Sequence, residues 1–353
     1  MKVILNELYD EKCSDVVIHS TFAILRCIRG FTFPNKLMEL SQSEDIIKTV
    51  RSVVENLENK NDYKIIDADN LNLLTQKVLE ESNLLPNSSN EKIKKDIIIS
   101  SDSSIAVLVN FNHHLTFKAI SPTFQIKELC ERVFELEESF ANKLDFAFDD
   151  DLGYITSDIF YCGTGIKEGV LVSIPGIIST KKISDIIVDF KNANLTAIGH
   201  YASNERTPVG WTYYIYNENS IGGNEQEQIF NFRNKLLELI YLEREMRLEL
   251  YLKNKSKTSD AIIKAIAIAK MARMLDVEEA MDIIFKINLG IDLNIVSNVS
   301  HEECNAIYYK VQTAHISYSL LNSIFNEFTA ELVKLERGKI MNKFANKIKL
   351  VNI

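Results

Sequence analysis

The sequence predicts an α+β unit, with a mainly antiparallel sheet flanked by helices, followed by an all-α unit. Three observations carry this prediction. Through residue 255, short β-branched or apolar runs separated by turn residues alternate with stretches of helical period. Past Asp260 only helical periodicity remains. The chain has 353 residues, 46% hydrophobic and 25% charged, which is room for two domains and a sizeable core. The expected division is 1–255 and 256–353, with the polar stretch Lys253–Ser259 as the break.

The elements follow in chain order. Residues 1–40 mix short apolar runs, such as Val16-Val17-Ile18, with a turn at Phe33-Pro34. Ser43 reads as a helix N-cap, because Glu44 and Asp45 follow and Ile46, Ile47, Val50, Val53, Val54 and Leu57 recur at helical spacing. Leu71–Glu81 gives a second helix, and Asn87–Lys95 a loop. Ile97–Ser100, Ile105–Asn110 and Leu115–Ile120 read as adjacent antiparallel strands, and Gln125–Leu144 as an amphipathic helix. An acidic run, Asp149–Asp151, precedes Gly163-Thr164-Gly165 and the strand Val170–Ile174. A helix over Lys181–Asn192 then leads to strands at Thr196–Tyr201 and Trp211–Tyr216. Gln226–Leu252 is one long charged helix. Helices at Ala261–Leu275, Glu278–Leu289, His301–Thr313 and about Tyr318–Lys343 complete the chain.

Composition excludes several classes. Lys and Arg total 40 against 49 Asp and Glu, a net charge of −9, so there is no basic footprint for nucleic acid. No run approaches the roughly 18 apolar residues of a membrane span, and the opening MKVILNELYDEKCSD lacks the form of a signal peptide. Five scattered cysteines without a C-x-x-C read as free thiols in a reducing cytoplasm.

The stretch LDFAFDDDLGYITSDIFYCGTGIKEGVLVSIP, Leu144–Pro175, resembles a signature region of the ATP:guanido phosphotransferases, the phosphagen kinases, and most of all their bacterial protein arginine kinase branch. The resemblance extends both ways. Asn110–Thr116 stands where the family has N-E-E-D-H-[LI]-R, and His19–Cys27 where it has S-S-R-[IV]-R-L-A-R-N. Ala197–Tyr201 stands where it has V-R-G-x-Y, and Leu289–Leu293 is similar to a run in the helical domain of the protein arginine kinases. The resemblance implies a guanido-kinase-like fold over nearly the whole chain. Its acidic hairpin falls on Asp149–Asp151, which the resemblance makes a solvated loop rather than a metal site.

It also implies a chemistry. Phosphoryl transfer from ATP to a guanidinium needs cations that clamp the phosphates, which the family supplies as arginines, and carboxylates that hold and deprotonate the acceptor. Carried over position by position, the arginines of R-[IV]-R fall on Thr21 and Ala23, that after D-H-[LI] on Thr116, and that of V-R-G on Ile198. The arginine following G-T-G becomes Lys167, and Arg26 matches a third, structural arginine. The carboxylates of N-E-E fall on Phe111 and Asn112, the reactive cysteine of T-S-C-P on Asp158, and a later loop glutamate near Ser203. Losing one preorganised donor costs about 2.7–4 kcal/mol of barrier, so several losses together remove much of what an enzyme supplies.

The expectation from this pattern is a catalytically inactive relative without a cofactor, acting as a regulatory or scaffolding subunit in protein quality control. What is left of a nucleotide cleft would be Gly163, Thr164, Gly165, Lys167 and Lys118, the last on the same strand face as Thr116. The alternative is an active ATP- and Mg-dependent phosphotransferase on protein arginine or another acceptor, built on Lys118, Lys167 and Asp158, with Arg206 as a further relocated cation. His113 and His114, if on a strand, point to opposite faces and cannot share a metal. Through its helical domain the resemblance implies a homodimer, or a heterodimer with an active kinase paralogue. Ile262, Ile266, Met274, Ile283 and Ile287 are the apolar candidates for that contact or for the domain's own core. Glu336-Arg337-Gly338 stands where the family reads phosphoarginine with E-R-D, leaving Arg337 as the phosphate ligand.

Overall fold

The computed structural model describes residues 13–34, 38–86, 92–200, 208–321 and 329–351. Strands β1 (Val17–Arg26), β2 (Tyr63–Asp67), β3 (Asp96–Ser100), β4 (Ile105–Val109) and β5 (Leu115–Ser121) form most of one sheet. A two-residue hairpin, β6 (Phe148–Asp149) and β7 (Gly153–Tyr154), precedes β8 (Ile166–Ser173), β9 (Leu195–Gly199) and β10 (Thr212–Asn217). The sheet has eight strands in the order β2-β3-β4-β5-β1-β8-β10-β9, and its pairs are antiparallel. A second small pair, β11 (Val296–Ser297) with β12 (Lys349–Leu350), ties the helical part together.

The helices are α1 (Leu40–Glu55), α2 (Leu73–Glu81), α3 (Ile126–Ala141), α4 (Pro175–Ser179) and α5 (Ile183–Asn192) in the α+β part. They are followed by α6 (Glu225–Met271), α7 (Val277–Asp292), α8 (His301–Lys310), α9 (Thr313–Leu321) and α10 (Ala330–Ala345). One sheet face packs on α1, α3 and the first part of α6. Phe22 and Ile24 of β1, Phe117 of β5 and Val170 and Val172 of β8 meet Val50, Val133, Phe140, Phe232 and Leu236 there.

The other face is covered in parts. Over β3 and β4 lie Leu84 and Leu85, which follow α2. Over Ile18 and Leu171 lie Met281, Phe285 and Tyr308 of α7 and α8. Between these two covers the sheet is left open. All ten residues of β1 are buried, because it is central in the sheet and its second face lies either under the helices or at the bottom of a cavity, which hides the period-two pattern in its sequence.

Buried arginines join the helices to the sheet. Arg247 of α6 donates from Nε to Glu243 at 2.6 Å and from Nη2 to the carbonyls of Asp15 and Ser173. Its Nη1 meets Asp292 of α7. Glu243 also accepts the Gly176 and Ile177 amides at the start of α4, each at 2.9 Å. Arg244 grips Asp15 with two bonds of 2.8 Å.

Several expected elements differ. Ser43 sits inside α1, fully buried, its hydroxyl donating to Leu40 O and accepting the Lys94 amide, and the N-cap is Glu39. The signal misread as a cap is a serine pinning the loop before β3. Within the polar stretch Lys253–Ser259 the long helix Glu225–Met271 is kinked at Asn254, whose backbone is non-helical, so the chain bends there but resumes helix at once. Its charged residues favour helix on either side of the kink, since no Gly or Pro intervenes. The last long helix begins only at Ala330, where the Thr329 hydroxyl caps it, and part of the expected span lies outside the described residues. Ile262, Ile266, Ile283 and Ile287 are core of the helical part, and only Met274 of that set is exposed.

Candidate active site

The open stretch of the second sheet face is a cavity of about 320 Å³. Its floor is set by strand register. Ala23 of β1 pairs with Lys118 of β5 on one side and with Lys167 of β8 on the other. At about 4.8 Å between strands, the two lysine backbones stand roughly 10 Å apart across a single alanine. Thr21, Leu25 and Thr116 continue the same face, and Phe111, Asn112 and His113 form one end. Asn83, Leu85 and Pro86, after α2, form a side wall, and Tyr214 of β10 another. Tyr214 lies close on the sheet because β8 has Gly169 beneath it; a Cβ there would stand 2.2 Å from the phenolic oxygen.

The electrostatics are one-sided. Among the described residues no carboxylate stands within ion-pair distance of Lys118 or Lys167. Burial and the neighbouring Lys167 push the Lys118 ammonium down to about 8. Lys167, whose Nζ lies 4.9 Å from the Tyr161 ring centroid, is lowered by desolvation against a raising pull from Asp158. His113 Nδ1 accepts the Ser157 amide at 3.3 Å, and burial with the Lys167 charge lowers its pKa to about 4. It is therefore neutral near pH 7 with its proton on Nε2. Two cations, one imidazole N–H donor and the Thr116 hydroxyl make an anion-binding surface, while the Thr21 hydroxyl donates to Gly169 O.

The other expected residues are placed as follows. Phe111 is buried against Leu84, Leu85 and Leu108 and closes the cavity end. Asn112 is exposed at the rim. Asp158 lies outside the cavity lining, exposed, where it caps the turn Ile159–Tyr161 by accepting the Phe160 amide. Its charge still reaches Lys167 and His113. Ile198 is 51% exposed on β9, off the cavity.

Gly163, Thr164 and Gly165 do not line the cavity. The Gly163 amide donates to Tyr154 O, the Thr164 amide to Ser220 O and the Thr164 hydroxyl to Gln228, so this loop binds its own chain. Arg26 is buried, paired with Glu137 at 2.7 Å and stacked 3.3 Å from the Tyr154 ring centroid. Arg337 is buried and donates to Val311 O, Leu275 O and Thr313 Oγ1. Ser203 and Arg206 lie outside the described residues.

His113 and His114 are in the connection between β4 and β5, not on a strand. His114 accepts the Ile28 amide at Nδ1 and donates from Nε2 to Thr32 O. Sequence reasoning missed His113 as a cavity donor, and it missed the wall of Asn83, Leu85, Pro86 and Tyr214. The oddity of a histidine pair after an apolar strand was the available signal.

Residues 45–246, more than half of the chain, match the family profile of the ATP:guanido phosphotransferase C-terminal catalytic domain. The chain belongs to the ATP:guanido phosphotransferase family. Residues 255–343 match the protein-arginine kinase McsB C-terminal domain. The chain is 26% identical over 334 residues to the protein-arginine kinase of Clostridium tetani, covering 94% of this chain and 95% of that one. It is 27% identical to that of Pelotomaculum thermopropionicum, covering 94% and 93%.

Among solved structures it is similar in fold to the duplicated taurocyamine kinase of Schistosoma mansoni with bound transition state analog components. There the TM-score is 0.61 and the identity 16%, over 74% of this chain but only 39% of that one. Lombricine kinase gives a TM-score of 0.60 at 16% identity, covering 69% and 71%.

These matches correct two expectations. The leaning toward a protein that is not an enzyme is overturned by membership, over nearly full length, among kinases. The expectation of no cofactor is overturned by a family that works with ATP. No helix among the described residues is long and apolar enough to cross a membrane.

Proposed function

We propose that the chain is an ATP-dependent phosphotransferase acting on a protein arginine or another acceptor in the cleft over β1, β5 and β8, using residues relocated from the family pattern. The observation that carries this is the row Lys118–Ala23–Lys167, two cations without carboxylate partners among the described residues, in a cavity the size of a small-ligand site. An empty site built this way repels itself, and a bound triphosphate relieves the repulsion. Lys118 and Lys167 hold phosphate oxygens, the His113 Nε2–H donates to another, and Tyr214 bounds the site.

In the transfer, the bond from the γ-phosphorus to the bridging oxygen breaks and ADP leaves. A bond from phosphorus to the acceptor nitrogen forms, and the acceptor's proton leaves to solvent at the open mouth of the cleft; Asp158, outside the lining, acts only through its charge on Lys167. Among the described residues there is no cluster of His, Cys, Asp and Glu to hold a metal ion; magnesium brought with the nucleotide would neutralise phosphate charge beside Lys118 and Lys167. With Thr21, Ala23 and Thr116 on the lining where the family pattern has arginine, Lys118 and Lys167 make the site a lysine variant of that clamp. Lysines offer point charges without the planar fork, which predicts weaker phosphate selectivity. The protein would work in the cytoplasm and pair with a second copy, or with a paralogue, through its helical part.

The test has two stages. Millimolar Mg-ATP should raise the melting temperature of the full chain. Labelled γ-phosphate should then appear on arginine side chains of a test protein or on the chain itself, as acid-labile label. No thermal shift and no transfer would overturn the proposal. Light scattering of the full chain that gives only the monomer mass would overturn the pairing.

A further inference from the structure

On the sheet face opposite the lysine cleft lies a second cavity, of about 260 Å³, that the chemistry above does not use. Its wall includes Glu168 of β8, Asn217 of β10, Asn194, Asn219, and Glu227 and Gln228 in the first turns of α6. Glu168 is 1% exposed, and its Oε1 has no hydrogen-bond partner. Most buried polar atoms are paired, so an unpaired carboxyl oxygen at a cavity wall needs an explanation.

The wall is short of donors. The Asn217 amide nitrogen donates to Ile166 O and Asn219 O, that of Asn194 to Asn219, and that of Asn219 to Asn194. The Gln228 amide nitrogen donates to Ser220 O and Gly222 O. No lysine or arginine lines the cavity. Besides the side-chain amide of Asn231, what remains on the lining is the Glu168 carboxyl, a second carboxyl in Glu227 and carbonyl oxygens. Such a wall disfavours an anion and calls for N–H donors carrying positive charge. The volume exceeds what a bare ion needs, and the described residues hold no metal-type cluster.

We propose that this cavity binds a small organic cation whose ammonium or guanidinium N–H groups meet the Glu168 carboxylate. Burial alone pushes the Glu168 carboxyl well above the usual range, so the empty cavity holds it neutral. Entry of the cation converts it to carboxylate and releases its proton to solvent. Glu227, whose Oε2 accepts the Asn224 amide, is the other titratable group on the wall. Strands β1, β9 and β10 present Phe22, Leu195 and Asn217 to Glu168.

The experiment is isothermal titration of the full chain with putrescine, agmatine and methylguanidine, in two buffers of different ionisation enthalpy. Potassium chloride at equal ionic strength is the control. Saturable binding with proton release is expected. Glu168→Gln should bind about tenfold or more weakly, the scale of losing one charge-assisted hydrogen bond, while its circular-dichroism melt stays cooperative. Stronger binding of putrescine assigns an ammonium ligand, and stronger binding of the guanidines assigns a guanidinium. No saturable heat, an equal response to potassium, or unchanged binding by a folded Glu168→Gln protein would overturn the proposal.

Discussion

The cleft and the seam between sheet and helices handle positive charge in opposite ways. In the seam, Arg247 is matched by Glu243, Asp292 and two carbonyls, and Arg244 by Asp15. In the cleft, Lys118 and Lys167 face each other across Ala23 without such partners among the described residues. Guanidinium groups here are spent on holding the protein together, where fixed geometry and several acceptors reward a planar fork. Ammonium groups are left where a ligand would supply the counter-charge. The seam is complete by itself; the cleft is completed by what binds it.

The largest expected effect breaks the seam. Arg247→Leu strands Glu243, which is fully buried, and should cost about 3–5 kcal/mol in urea denaturation, as for one partner removed from a buried pair. The matching change in the cleft, Lys118→Met, should leave stability unchanged or raise it. It should also lower phosphate transfer by about 10²–10³-fold, the effect of removing one preorganised charge donor. If Lys118→Met destabilises as Arg247→Leu does, the contrast between the two regions fails.

A smaller effect comes from Glu81, whose carboxylate accepts the Ala314 and His315 amides at the start of α9. Glu81→Ala should cost about 0.5–2 kcal/mol, as for a lost helix cap, measured by thermal unfolding.

The pH dependence sharpens the comparison further. Lys118 has its pKa lowered from 10.5 to about 8 in the fold, so between those values the unfolded chain binds more protons. Wild-type stability, relative to Lys118→Met, should therefore rise as pH climbs from about 8 toward 10.5, and nucleotide affinity should fall over the same window. The smallest effect is Lys167→Arg, which restores the fork at an exposed end of the row and should tighten nucleotide binding a few-fold in a thermal-shift titration.

Much of the fold was legible in the sequence, and the reasons are local. Strands β3, β4 and β5 and helices α3 and α5 announced themselves by short apolar runs between turn residues and by helical spacing. Strand β1 was underread because a central strand buried along its whole length shows no alternation. Ser43 was misread because an acidic pair after a serine looks the same whether the serine caps the helix or lies within it. At the site, Thr21, Ala23, Phe111, Asn112, Thr116, Lys118 and Lys167 do come together in one cavity. The sequence resemblance carried that, since position in a fold survives the exchange of side chains. It did not carry the net charge of the cleft, the tautomer of His113 or the wall after α2, because those depend on contacts between residues far apart in the chain.

The stretch after α2 has a further consequence. Asn83, Leu85 and Pro86 wall the cleft, while Glu81 and Ser82, just before them, are bonded to His315 of α9, and Asn83 to His19 of β1. His19 in turn bonds Tyr309 of α8. The wall beside the lysines is thus bonded to the helical bundle by a few side chains. A guest that displaced this wall would have to break those bonds or carry the bundle's side chains with it.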